Sequence, residues 1–180
     1  FANAQPGLPA TTSLLGAPDG MGFYYSSPIK GWLAWPLIPV FGLTATWNLL
    51  TVASRVGTVL AAWAAGRAWG LRGPGALVAA AAFGCAPFFH GYAVEGIVEG
   101  TDGWTLALLL WALGKRRPVA GAGLLALTIL SSWYLGAAGC LLALMAALRD
   151  RSAIAALAGG LLLSAPALMQ FGAALSLSGS

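Results

Sequence analysis

PVAGAGLLALTILSSWYLGAAGCLLALMAAL, residues 118–148, runs for 31 residues without a charged side chain. As one helix it would be about 46 Å long, too long to cross a hydrocarbon layer roughly 30 Å thick unless strongly tilted. Ser131, Ser132, Trp133, Tyr134, Leu135 and Gly136 interrupt it at its centre. The stretch is therefore expected to fold as two short helices that meet at a membrane surface. Lys115-Arg116-Arg117 opens the pair and Arg149-Asp150-Arg151 closes it.

The rest of the chain has the same character. Of its residues, 59% are hydrophobic and only 8% charged, with a mean hydropathy of +0.82. Soluble domains are about a quarter charged. An all-α, polytopic transmembrane bundle of about six hydrophobic segments, some short or broken, is the expected fold. The chain opens at Phe1 without a signal-peptide pattern and stops at a polar SLSGS, so it is expected to be a fragment of a longer protein. Cys85 and Cys140 lie in apolar runs without metal-ligand spacing and read as small buried hydrophobes.

Residues 1–42 read as an extracytoplasmic loop with an interfacial aromatic segment, and residues 43–180 as the transmembrane helical region. The loop is rich in Pro, Gly, Ser and Thr, with a turn at Asp19-Gly20. KGWLAWPLIPVFG, residues 30–42, carries two Trp and two Pro and is too short to cross, so its aromatics belong at the headgroup level. Thr44 to Ala65 is apolar enough to span, with Asn48 and Arg55 inside it. Asn48 reads as interhelical hydrogen-bonding glue. The Ala-rich run from Gly75 to Phe89 breaks at Pro87, Trp104 to Gly114 returns to the basic cluster, and Ser152 to Gln170, split by Pro166, supplies a last span.

If the spans alternate, seven of the nine basic residues, namely Arg67, Arg72, Lys115, Arg116, Arg117, Arg149 and Arg151, fall on one side. By the positive-inside rule that side is the cytoplasm. The net charge of +4 is then a topology signal, and no nucleic-acid partner follows from it. The opposite side receives APFFHGYAVEGIVEGTDGW, residues 86–104, which holds the single histidine, His90, and three of the five acids, Glu95, Glu99 and Asp102.

Glu95 and Glu99 are four apart, and on a helix they would share a face, with Asp102 close behind. Such carboxylates either split their pKa values into an acid and a base, or bind sugar hydroxyls or a divalent cation, or stand solvated in a surface loop. His90 is a proton carrier, a hydrogen-bond partner for a phosphate or sugar, or an interfacial helix-end residue, and a lone histidine is a poor metal site. Arg55, a cation inside a span, is expected to pair with a loop carboxylate or a lipid phosphate, or to snorkel to the surface. Trp133 and Tyr134 are candidates to pack on a ligand.

PLIPVFGLTATWNLL, AGRAWGLRG, AAAAFGCAPFFHG, GIVEGTDGW and LTILSSWYLG, in that order, resemble bacterial polytopic glycosyltransferases of the GT-C class, of the dolichyl-phosphate-mannose type. The matching positions are Phe41, Gly42, Asn48, Phe83, Pro87, Gly96, Glu99, Gly103, Trp104, Ser131, Ser132 and Tyr134. The resemblance implies sugar transfer from a polyprenyl-phosphate donor, with membrane lipids as surroundings. It also implies the bacterial inner membrane, with the site facing the periplasm or exterior. A carboxylate base would activate the acceptor hydroxyl while the lipid phosphate leaves. In that class the reacting acid follows the first helix, a region expected to precede Phe1, and Asp19 matches only the turn. Glu99, Glu95 and Asp102 are then the carboxylates of the site, with His90, Arg55, Trp133 and Tyr134 on the substrate. A secondary transporter or lipid flippase, with polar residues reaching both faces, and a non-catalytic scaffold are the rival readings.

Overall fold

A computed structural model of the 180-residue chain describes residues 11–12, 21–22, 28–94 and 101–178. Two short strands, β1 (Thr11–Thr12) and β2 (Met21–Gly22), pair antiparallel. Everything else of regular structure among the described residues is helix. The order is α1 (Pro28–Ala34), α2 (Ile38–Ala68), α3 (Pro74–Gly84), α4 (Pro87–Val94), α5 (Gly103–Gly114), α6 (Pro118–Ser131), α7 (Trp133–Ala147) and α8 (Ser152–Ser178).

The 118–148 stretch divides where its polar interruption stands. α6 ends at Ser131, and Ser132 is extended (φ −164, ψ 132) before α7 begins. The Ser132 hydroxyl accepts the Leu135 N–H at 3.5 Å, capping the new helix. The two helices fold back closely because residue 136 is glycine. A methyl group there would lie 2.8 Å from the Ile129 Cα, inside the backbone of α6.

The path of the bundle follows from its contacts. Trp69 at the end of α2 donates its indole N–H to Leu110 O of α5 at 2.8 Å, and Ser54 reaches Asp102, so α2 and α5 run side by side in the same direction. α3 returns along α2, with Gly66 against Ala76 and Gly84 against Val59. α6 and α8 pack together through Gly121 against Ala156 and Gly160 against Leu125. The centre holds Leu109, Leu125 and Ala143, all fully buried, among many alanines.

Two features depart from the sequence expectations. The interfacial stretch 30–42 is not one element: α1 stops at Ala34, and a further turn from Ile38 runs to Gly42, whose non-helical backbone (φ 74, ψ 166), open to glycine, separates it from the long helix that makes up the rest of α2. The hydrophobic segments are also unequal. α2 and Ser152–Met169 of α8 are long and apolar enough to cross a membrane, whereas α3, α5, α6 and α7 are apolar but of 11, 12, 14 and 15 residues. At 1.5 Å per residue the four span roughly 17–23 Å.

The outward faces are oily. Leu49, Val52, Val56 and Leu60 form an exposed stripe on α2, and Leu141, Leu144 and Met145 do so on α7. That is the reverse of a water-facing helix, whose outward side is polar. Asn48 lies on this exposed side and not between helices.

The α7–α8 link is fixed by Asp150, whose Oδ1 accepts the Ser152 N–H at 2.9 Å while its carbonyl accepts that of Ala153 at 3.0 Å. Hydrogen bonds from Ser152, with Arg116 adding to them, hold the Asp150 carboxyl below its usual range. A depressed pKa means that the unfolded chain takes up this proton first. The stabilisation is present above the ordinary value of 3.8 and is lost as pH falls below it. In urea titrations, the advantage of the native protein over Asp150→Asn should therefore persist at neutral pH and vanish on acidification through that window. Gly136→Ala should lower stability by about 1–3 kcal/mol through overpacking. Gly123→Ala, with no atom within 4 Å of the added methyl, should be neutral or gain up to about 1 kcal/mol. Thermal unfolding of the two variants checks both.

Candidate functional site

The bundle end at which α5 begins is polar inside. Asp102, just before α5, is 1% exposed. Its Oδ1 accepts the Ser54 hydroxyl at 2.8 Å and the Trp104 indole N–H at 3.2 Å, and lies 3.3 Å from the Lys30 Nζ. Lys30 is itself 3% exposed and also donates to the Thr101 hydroxyl. Thr105 donates to the Asp102 carbonyl at 2.9 Å, and Thr58 to the Ser54 carbonyl at 2.7 Å. Two opposite charges are thus withdrawn from water together and surrounded by donors and acceptors, the condition under which buried ions are tolerated.

Local sequence explains how Lys30 gets there. In α1, Ile29, Lys30 and Ala34 are buried while Trp32, and Trp35 just after the helix, are exposed. The short helix lies against α2 and α6, with its aromatics outward as the sequence anticipates. Burial pushes the Lys30 ammonium below its ordinary pKa, the Asp102 carboxylate pulls it back up, and the Arg55 cation adds a smaller push down.

Arg55 is half-buried beside Ser54, and its guanidinium donates to the Phe89 carbonyl in α4. Among the described residues the hydrogen-bond acceptor of Arg55 is this backbone oxygen. Phe89 is 3% exposed and anchors α4 by edge-on contacts with Phe83 and Phe88, at centroid distances of 5.2 and 5.3 Å. His90 follows it and is exposed. Trp133 is half-buried against the core, and Tyr134 is 67% exposed. Glu95 and Glu99 lie outside the described residues.

The fold brings Asp102, Arg55 and His90 to one end, and the antiparallel helix pair puts Trp133 and Tyr134 at that end too. Asp102 does not stand solvated in a loop. With its oxygen already engaged by three donors, it is a positioning group that ties α1 to α2 and α5. Among the described residues no three His, Cys, Asp or Glu side chains converge on one point. Lys30, Ser54 and Thr101 were not candidates from the sequence. The available signal was that Lys30 and Arg55 are the two cations outside the basic cluster, and each needed a polar partner.

Comparison with protein-family models, curated proteins and solved structures finds no match to this chain.

Asp102→Ala should destabilise the fold by about 3–5 kcal/mol, since it leaves the Lys30 ammonium buried without its counter-ion. Lys30→Met combined with Asp102→Ala should lose less than the sum of the single changes, by about 1–3 kcal/mol. A double-mutant cycle from chemical denaturation checks this, and strict additivity would mean that the two charges do not couple.

Proposed function

We propose that this chain is the membrane part of a transferase that moves a sugar from a polyprenyl-phosphate donor. In this reading the bundle sits in the bacterial cytoplasmic membrane. The basic cluster faces the cytoplasm, and the end with Lys30, Asp102, Arg55 and His90 faces the exterior.

The observation that carries the reading is how far the buried polar groups reach. On α2 they are Thr46, Ser54 and Thr58, after which Ala61, Ala62 and Ala65 are buried. On α5 Asp102 and Thr105 give way to Leu106, Leu109, Ala112 and Leu113. On α6, read from its far end, Ser131 and Thr128 give way to Leu125, Ala122 and Gly121. A polar interior at one end closed by an apolar plug suits chemistry at one face. A transporter needs polar groups along a path to both.

In the proposed step a base takes the proton of the acceptor hydroxyl. The oxygen then attacks the anomeric carbon, and the bond from that carbon to the phosphate oxygen breaks, the lipid phosphate leaving with the electron pair. Arg55, with guanidinium hydrogens beyond the one given to Phe89, would stabilise the leaving phosphate, and His90 would address it or the sugar. Glu99 and Glu95 are the candidate supporting carboxylates of the site, and Tyr134, which is exposed, would stack on the sugar. A non-catalytic membrane scaffold is the second reading, favoured by the carbonyl partner of Arg55.

In proteoliposomes supplied with a radiolabelled polyprenyl-phosphate sugar, the full-length protein should consume donor. Arg55→Gln should lower kcat roughly 10–100-fold with a smaller change in KM. No consumption of any such donor would remove the enzyme and leave the scaffold.

A further inference from the structure

At the end of the bundle away from Lys30, three helices finish together: α2 at Ala68, α5 at Gly114 and α7 at Ala147. Between them lies a cleft of ≈ 400 Å³ with an apolar floor that includes Leu113 and Ala146, and a rim of Trp69, Arg116, Arg149 and Asp150.

Two helix endings at this cleft can be compared. In α2 the Gly70 N–H bonds Arg67 O and the Leu71 N–H bonds Gly66 O; in α5 the Arg116 N–H bonds Leu113 O and the Arg117 N–H bonds Ala112 O. Both are the same C-terminal motif, whose first residue beyond the cap must be left-handed. α2 places glycine there, Gly70 at φ 90, whereas α5 places Arg116 at φ 54. Among the described residues Arg116 alone has positive φ without being glycine. The turn would form more readily with glycine, so the turn does not account for the arginine.

The Arg116 side chain is 78% exposed, with its Nε 3.1 Å from the Asp150 Oδ2 in an ion pair that is not aligned as a hydrogen bond. Among the described residues neither Arg116 nor Arg149 donates a side-chain hydrogen bond. Both guanidinium forks are therefore open to an acceptor. Around them Arg67, Arg72, Lys115, Arg117 and Arg151 are also exposed. The three helix C-termini count for only about half a negative charge each, so with Asp150 they leave the cations in clear excess.

We infer that this cleft is a binding site for the phosphate headgroup of an anionic phospholipid from the adjacent leaflet. Arg116 and Arg149 hold the phosphate oxygens, and Trp69, 46% exposed, sits at headgroup depth. Leu144, Met145 and Leu148 at the end of α7 are exposed beside the cleft and receive the acyl chains. Basic clefts between helices at a membrane surface favour such lipids on electrostatic grounds. The inference rests on the bilayer placement and not on sugar transfer.

The test compares the 180-residue chain in nanodiscs of phosphatidylcholine alone with nanodiscs that also contain phosphatidylglycerol. The anionic lipid should raise the thermal midpoint by about 4 °C. Arg116→Gly with Arg149→Gln should abolish that rise, and the glycine suits the turn, so the variant stays folded. Arg72→Gln, outside the cleft, should keep the rise. The site is overturned if the native chain gains nothing, if the double variant keeps the gain, or if Arg72→Gln loses it equally, which would mean diffuse attraction. Equal stabilisation by inorganic phosphate in phosphatidylcholine discs would overturn the lipid as its source. A chain that is monodisperse without detergent would remove the bilayer placement itself, a result separable from all of these.

Discussion

A lysine ammonium and an aspartate carboxylate cut off from water at one end of an oily bundle constrain everything around them. Neither ion can be buried alone at tolerable cost, so Lys30 and Asp102 must stay within reach of each other. That requirement fixes α1, which carries the lysine, over the end of α2 and α6. It also fixes the start of α5, because the carboxylate sits one residue before that helix and is gripped by Ser54 and Trp104. The short helix α1 buries little apolar surface apart from Ile29 and Ala34, so its position depends heavily on the ion pair.

Charge is sorted along the bundle in a second way. The polar interior ends at Thr58 on α2, Thr105 on α5 and Thr128 on α6, and below it the helices touch through alanine, glycine and leucine. The opposite end carries its cations on the outside, with Asp150 the acid set among them. One end therefore has its ions inside and the other has them at the surface. The two ends are built for different surroundings, and the apolar middle separates them.

Much of this was legible before any coordinates. The length of the uncharged stretch 118–148 against the thickness of a bilayer, with polar residues at its midpoint, was enough to place the break at Ser131 to Trp133. Pro87 likewise marks the start of α4, and the outward Trp32 and Trp35 follow from the preference of tryptophan for interfaces. The break at Gly42 coincides with the boundary drawn between the interfacial stretch 30–42 and the span that follows, although the extra helical turn before it was not legible. Nor was the burial of Asp102: a solvated loop was one of the alternatives open for it, and only its distant partners Lys30 and Ser54, 72 and 48 positions away, draw it inside. Asn48 shows the opposite error, since a polar side chain within a span looks like glue until its face of the helix is known.

The buried middle is made largely of alanine, with glycine at the closest crossings. Alanine and glycine have no side-chain rotamers to freeze, so ordering such a centre forfeits little side-chain entropy compared with one built of leucine or methionine. The same scarcity of torsions leaves the interior almost no way to accommodate added volume by turning a side chain aside. The centre therefore behaves as a stiff spacer, and a disturbance at one end reaches the other as a rigid displacement of whole helices rather than being absorbed between them.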